Sequence, residues 1–252
     1  MMSIKKLFEP TDMTEGTPWK GIVSFSIPLL IGNIAQQLYS TVDSIVVGHY
    51  IGDNALAAVG SSGPLFNMLL VLFVGISAGV GIMVSQYFGA KDREQLSATI
   101  GTSITMTALA SLILLIAAPP FIEDLLIMLK TPDAILKDCT NYLLIMMYGG
   151  AGMAFYNILS GILRGMGDSF SGLVYLVIAT VLNIILDILF VAGFDMGVPG
   201  VALATVLAQG ISAALCYWKL MHMHHLFDLG WKQLKMSGEH VKQIIGLGIP
   251  SG

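Results

Sequence analysis

Six apolar runs, each long enough to cross a bilayer as a helix, occupy most of this 252-residue chain. They lie near Gly21–Gly48, Ala55–Tyr87, Leu96–Ala118, Ile135–Leu163, Ser171–Gly193 and Gly197–Leu220. A hydrocarbon interior has no water for unpaired backbone groups, so only helices and closed barrels can span it. Barrel strands alternate in polarity over short segments, and these runs do not alternate. The expected fold class is therefore all-α: a polytopic membrane protein forming a six-transmembrane-helix bundle. Charged residues make up 11% of the chain against about 25% in an average soluble domain, and 55% are hydrophobic, with a mean hydropathy of +0.80. Turn residues punctuate the runs, among them Gly52-Asp53-Asn54, Thr131-Pro132-Asp133 and Gly165-Met166-Gly167-Asp168.

The basic residues set the expected orientation. With the amino terminus inside, ten Lys and Arg side chains fall in cytoplasmic segments and two, Lys130 and Lys137, fall outside. This predicts a multi-pass protein of the cell inner (cytoplasmic) membrane with both termini cytoplasmic. The first twenty residues are polar, with no short apolar core followed by small residues, so no cleaved signal peptide is expected. Cys139 and Cys216 form no close pair or metal-type spacing and are expected to be free thiols. Membrane lipid, not nucleic acid, is the expected macromolecular environment.

Only two acids sit deep in the apolar runs, Asp43 in the first and Asp187 in the fifth, with no deep Lys or Arg to neutralise them. Inserting a carboxylate at mid-bilayer costs roughly 2.5–3.5 kcal/mol, so an intramembrane acid marks a function. Asn183 lies one turn before Asp187 on the same helix face. Counting residues from the run ends places Asp43, Asp187, Thr205 and Tyr142 at one common depth in the outer half of the bilayer. Carboxylate, amide and hydroxyl oxygens at Asp43, Asn183, Asp187 and Thr205 are hard ligands suited to Na⁺. The same two acids could instead share a proton, because close carboxylates do not both ionise cheaply. The alternative is a purely structural set of interhelical hydrogen bonds. Tyr39, one turn before Asp43, Gln36 further along that face, and Tyr142 are candidate supports for the site.

The stretch Lys20-Gly21-Ile22-Val23-Ser24-Phe25-Ser26-Ile27-Pro28 returns as Lys242-Gln243-Ile244-Ile245-Gly246-Leu247-Gly248-Ile249-Pro250. An even number of spans per repeat gives two parallel halves, an arrangement common in transporters. The chain then reads as a cytoplasmic segment over residues 1–20, a six-helix lobe over 21–220, an amphipathic cytoplasmic linker over 221–241, and the start of a seventh helix over 242–252. Pro28 and Pro64 fall inside apolar runs and are candidate bends. Gly75 and Gly79, with Gly161 and Gly165, have the small-xxx-small spacing of close helix contacts. Met221-His222-Met223-His224-His225 is read as interfacial rather than as a metal site.

Several stretches resemble the multidrug and toxic compound extrusion (MATE) transporters. They are Ile27-Pro28, Asp43 and Val47-Gly48 in the first run, Ser85-Gln86-Tyr87-Phe88-Gly89-Ala90-Lys91 after the second, and Gly161-Ile162-Leu163-Arg164-Gly165-Met166-Gly167-Asp168 after the fourth. Asn183 and Asp187 in the fifth and Gly197-Val198-Pro199-Gly200 through Thr205 in the sixth complete the likeness. The resemblance implies one lobe of a twelve-helix transporter, exporting organic cations or other amphipathic small molecules against inward Na⁺ or H⁺. It implies a cation or proton site at Asp43, Asn183, Asp187 and Thr205, no cofactor beyond the coupling ion, no enzyme activity, and a missing carboxy-terminal lobe, helices 7–12, as the partner needed for activity. A lipid or oligosaccharide flippase of related architecture, or a non-transporting membrane bundle, is the alternative. An intramembrane enzyme would need a nucleophile with a base or a metal-type cluster, and the deep residues supply neither.

The topology predicts that cysteines introduced as Asp53→Cys and Asp195→Cys react with an impermeant thiol reagent added to intact cells, whereas Asp92→Cys does not. The opposite labelling pattern would invert the orientation.

Overall fold

The computed structural model describes residues 18–230 and 233–251, and these are helical with short connections. In chain order the helices are α1 (Pro18–Tyr50), α2 (Asp53–Gly89), α3 (Arg93–Ala117), α4 (Ile122–Met128), α5 (Asp133–Gly165), α6 (Ser169–Asp187), α7 (Gly197–His222) and α8 (Gly238–Gly248). A π-helical turn, Ile188–Gly193, extends α6. Five helical segments among the described residues are long and apolar enough to cross a membrane, beginning at Asp53, Arg93, Asp133, Ser169 and Gly197. They coincide with the second to sixth predicted spans. The first predicted span coincides with α1, a continuous 33-residue helix. Of the segment expected over residues 1–20, residues 1–17 lie outside the described residues, as does Gly252 at the other end.

α5 packs extensively against α2 on one side and α7 on the other, while α1 lies mainly against α6. Apolar side chains fill the core and also cover much of the outer surface, while the acid-bearing row of α6 faces inward. Along α6 the row Tyr175, Ala179, Asn183, Asp187, at four-residue spacing, is buried, while Val177, Val181, Ile185 and Ile188 are exposed. Lipid is as apolar as leucine, so burial of apolar side chains drives little association there. Close packing of small residues and interhelical hydrogen bonds do more.

The glycines show this directly. A Cβ on Gly165 would lie 2.7 Å from the Gly81 carbonyl oxygen and 2.8 Å from Val84, so α5 and α2 approach closely at their ends. A Cβ on Gly79 would overlap the Ile244 carbonyl of α8, and one on Gly248 the Gly75 carbonyl. Both expected glycine pairs therefore sit at close helix contacts. Neither proline interrupts its helix, Pro28 lying inside α1 and Pro64 inside α2. Met146 and Met147 are buried in the core between α2, α5 and α7, with Met153 packed against it.

Local signals end and start the helices. Gly167, at φ +85°, closes α5: its N–H donates to the Arg164 carbonyl at 2.9 Å and the Asp168 N–H donates to the Leu163 carbonyl at 2.9 Å. Asp168 then caps α6 by accepting from the Ser171 N–H at 2.9 Å, and its buried carboxylate pairs with Lys219 of α7 at 3.5 Å. Pro119 and Pro120 stop the helix begun by α3, and the short α4 that follows was not anticipated; it seats Ile122 and Leu126 in the core. The segment after α7 is also folded onto the bundle. Phe227 is fully buried, the Thr105 hydroxyl donates to the Leu234 carbonyl at 2.7 Å, and the Asp228 N–H donates to Ser97 Oγ at 2.8 Å. Asp228 makes a two-point contact with Arg93 at 2.9 and 2.8 Å, and that guanidinium holds its exposed carboxyl below the usual carboxylate range. Trp231 and Lys232 lie outside the described residues. α8 starts at Gly238, capped by Ser237, so the repeat that begins at Lys242 falls inside a helix already under way.

Gly79→Ala should destabilise the protein by about 1–3 kcal/mol through overpacking against α8, whereas Gly60→Ala, with nothing within 4 Å of the added Cβ, should not. Thermal unfolding followed by dye reaction of the two buried thiols, Cys139 and Cys216, reads the difference.

Candidate functional site

Four helices deliver one polar cluster. Asp43 comes from the last turns of α1, Asn183 and Asp187 from the buried row of α6, Thr205 from α7 and Tyr142 from α5. All five are buried, Asn183 and Asp187 completely. The arrangement follows from helix geometry. A four-residue step puts Asn183 and Asp187 on one face, and α6 lies between α1 and α7, so that face meets both neighbours.

The centre of the cluster is the Asn183 amide. With its nitrogen turned towards the acids, Nδ2 donates to Asp43 Oδ1 at 2.7 Å and to Asp187 Oδ2 at 3.1 Å, while its oxygen accepts from the Thr205 backbone N–H at 3.3 Å. One amide thus ties two carboxylates on different helices to a third helix. Turned the other way, Nδ2 reaches Thr205 Oγ1 at 3.4 Å and the amide oxygen faces the acids. Only the first orientation matches donors to ionised acceptors. The carboxyl groups of Asp43 and Asp187 are also within hydrogen-bonding reach of each other. Among the described residues neither forms an ion pair. Asp187 Oδ1 is buried with no hydrogen-bond partner, an uncommon condition for a carboxylate oxygen and one that a proton or a cation would relieve.

Asp187 is the last α-helical residue before the π turn Ile188–Gly193. π segments are rare and collect at functional sites, because the widened turn re-aims side chains and leaves backbone groups off the regular ladder. Nothing in the apolar run Ile188-Leu189-Phe190-Val191 signals this turn. Tyr142 is buried beside both acids, at the depth expected of it. Gln36 is not part of the cluster: its side chain is exposed two turns from Asp43, and its carbonyl accepts from Ser40 within α1. The Tyr39 side chain lies outside the described residues.

The profile of the MatE family matches residues 28–189, which include Asp43, Asn183 and Asp187. The chain belongs to the MatE family. "Probable multidrug resistance protein YoeA" of Bacillus subtilis is 33% identical over 240 residues, an alignment covering 92% of this chain and 52% of that protein. A solved structure of a MOP superfamily transporter from Pyrococcus furiosus superposes with a TM-score of 0.88 at 29% identity, covering 96% of this chain and 54% of the other. An outward-facing multidrug resistance MATE family transporter superposes at 0.87 with 30% identity, over 94% and 52% of the two chains. The chain therefore spans about half the length of the curated MatE relatives it matches.

Removing the bridging amide tests the geometry. Asn183→Ala should cost about 1.5–3 kcal/mol, the range for hydrogen bonds to charged groups, and clearly less in an Asp43→Asn background. Equal costs in the two backgrounds, measured by thermal unfolding as a double-mutant cycle, would show that Asn183 does not bridge the acids.

Proposed function

We propose that the chain is the amino-terminal lobe of a twelve-helix antiporter that exports organic cations or other amphipathic small molecules across the cytoplasmic membrane, driven by inward Na⁺ or H⁺. In this reading residues 21–220 form the lobe, 221–241 link it to the second lobe, and 242–252 begin the seventh helix. Both termini are cytoplasmic. The observation that carries the proposal is the pair of buried, unneutralised acids, Asp43 and Asp187, held by one amide between helices that belong to different parts of the bundle.

The donor set fits either ion. Two carboxylates, the Asn183 amide oxygen and the Thr205 hydroxyl supply hard oxygens for Na⁺. A proton needs only one carboxyl oxygen, and the unpartnered Oδ1 of Asp187 is available. Asn183 serves both occupancy states. With the acids ionised and no ion bound, its N–H₂ group faces them; with a cation or proton present, the amide turned about offers its oxygen and gives Nδ2 to Thr205 Oγ1. An arriving ion would replace the amide donors on Asp43 and Asp187, so the link between α1 and α6 would run through the ion or a shared proton instead of through Asn183. Occupancy would in this way alter the seating of α1, many of whose described side chains are exposed. Expulsion of substrate would follow because a lobe whose wall has shifted no longer presents the same binding surface. The lack of deep Lys or Arg argues against a flippase for anionic lipid-linked sugars.

In cells that co-express this lobe with a carboxy-terminal lobe, Asp43→Asn and Asp187→Asn should each abolish ion-driven dye efflux while leaving membrane insertion intact. Efflux at the unmodified rate in both variants would remove the coupling assignment.

A further inference from the structure

A second polar feature lies at the opposite ends of the helices and plays no part in the acid cluster. A cavity of about 770 Å³, a volume typical of small-molecule sites, opens where α2 and α5 end and α3 begins. Its charged lining residues are all basic: Lys91, Arg93 and Arg164, with no Asp or Glu among them. Arg93 is neutralised by Asp228. The other two form no ion pair among the described residues. Arg164 is half-buried, and its guanidinium has only neutral partners, Ser160 Oγ at 3.0 Å and Ser77 Oγ at 3.5 Å. The Ser77 hydroxyl gives its own proton to the Asn157 carbonyl at 2.6 Å, so it faces Arg164 as an acceptor. A guanidinium held in place by two serines, without a carboxylate, retains most of its capacity for an anion.

The remaining walls define the anion further. Phe25 and Leu29 of α1 and Phe88 of α2 give the cavity an apolar flank beside the cations. Close glycine contacts between α2 and α5 form its floor. A free phosphate would use the basic part and leave the apolar flank wet; a ligand carrying both a phosphate and a hydrocarbon chain uses both. The cavity also lies at helix termini, the depth at which headgroups meet a membrane protein, where basic pockets between helices take anionic lipid headgroups. We infer that this cavity binds the phosphate of an anionic phospholipid from the adjoining leaflet, with Arg164 and Lys91 contacting the phosphate and an acyl chain running along Phe25 and Leu29. The site is separate from the Asp43–Asp187 cluster and does not depend on ion-coupled export.

Native mass spectrometry of the chain in detergent, with equimolar phosphatidylglycerol and phosphatidylcholine, tests this directly. Phosphatidylglycerol should be retained about tenfold over phosphatidylcholine, and Arg164→Gln should reduce that preference severalfold, in line with loss of a charge-assisted contact. Because Arg164→Gln could disturb the serine contacts, Lys91→Gln at an exposed position provides the second variant and should also lower the preference. Equal retention of the two lipids, or an unchanged preference in both variants, would overturn the site. Displacement of phosphatidylglycerol by glycerol 3-phosphate at equal concentration would overturn the lipid assignment in favour of a soluble phosphate ester. A preference that persists only while Arg164 or Lys91 is cationic is the expected result.

Discussion

Two carboxylates in an apolar layer need something to hold them, and here one amide does so. Asn183 reaches Asp43 on α1 and Asp187 on its own helix while its oxygen is tied to the α7 backbone. The placement of three helices relative to one another therefore passes through a single side chain. α6 must present its polar row inward, α1 must end with Asp43 turned towards α6, and α7 must bring Thr205 within 3.4 Å of the amide. Charge in a low-dielectric layer makes these contacts strong when satisfied and costly when not. The same cost makes the cluster sensitive to whatever ion enters it.

Around that centre the bundle is assembled by close helix approach as well as by two apolar core clusters. Glycines bring α5 against α2 and α2 against α8, and Ser212 donates to the Tyr175 carbonyl at 2.6 Å across the α6–α7 contact. Many large apolar side chains also face outward, where lipid accepts them at little cost. Such a lobe is closely packed along its α2–α5–α7 centre, while α1 meets it mainly through α6, beside Gly32 and at Asp43. A first helix seated mainly on one neighbour is the arrangement a site would need if ion binding at Asp43 is to be felt elsewhere.

The charges are also sorted along the length of the bundle. The acids share one layer, and Arg164, Lys91 and Arg93 gather where α2 and α5 end and α3 begins. That separation leaves the buried carboxylates without an internal base to neutralise them among the described residues. It also leaves Arg164 and Lys91 without an ion-pair partner among the described residues.

The amino-acid sequence alone was enough to specify the all-helical membrane class, the second to sixth spans, the glycine contacts and the four residues of the acid cluster. The reason is that bilayer thickness and the cost of buried charge leave few ways to read an apolar run with an acid in it. Depth, too, follows from counting at 1.5 Å per residue. What it could not supply depends on neighbours. Gln36 shares a sequence face with Asp43 but remains outside the cluster with its side chain exposed, although α6 meets α1 on both sides of it, at Gly32 beside Leu173 and Leu176 and again at Asp43. The π turn after Asp187, the short α4 and the folding of residues beyond His222 onto α3 have no local signature strong enough to read. Only the packed bundle decided that one amide would bridge both acids, since a hydrogen bond between helices depends on their separation and rotation, and neither is written in the spacing of residues along one of them.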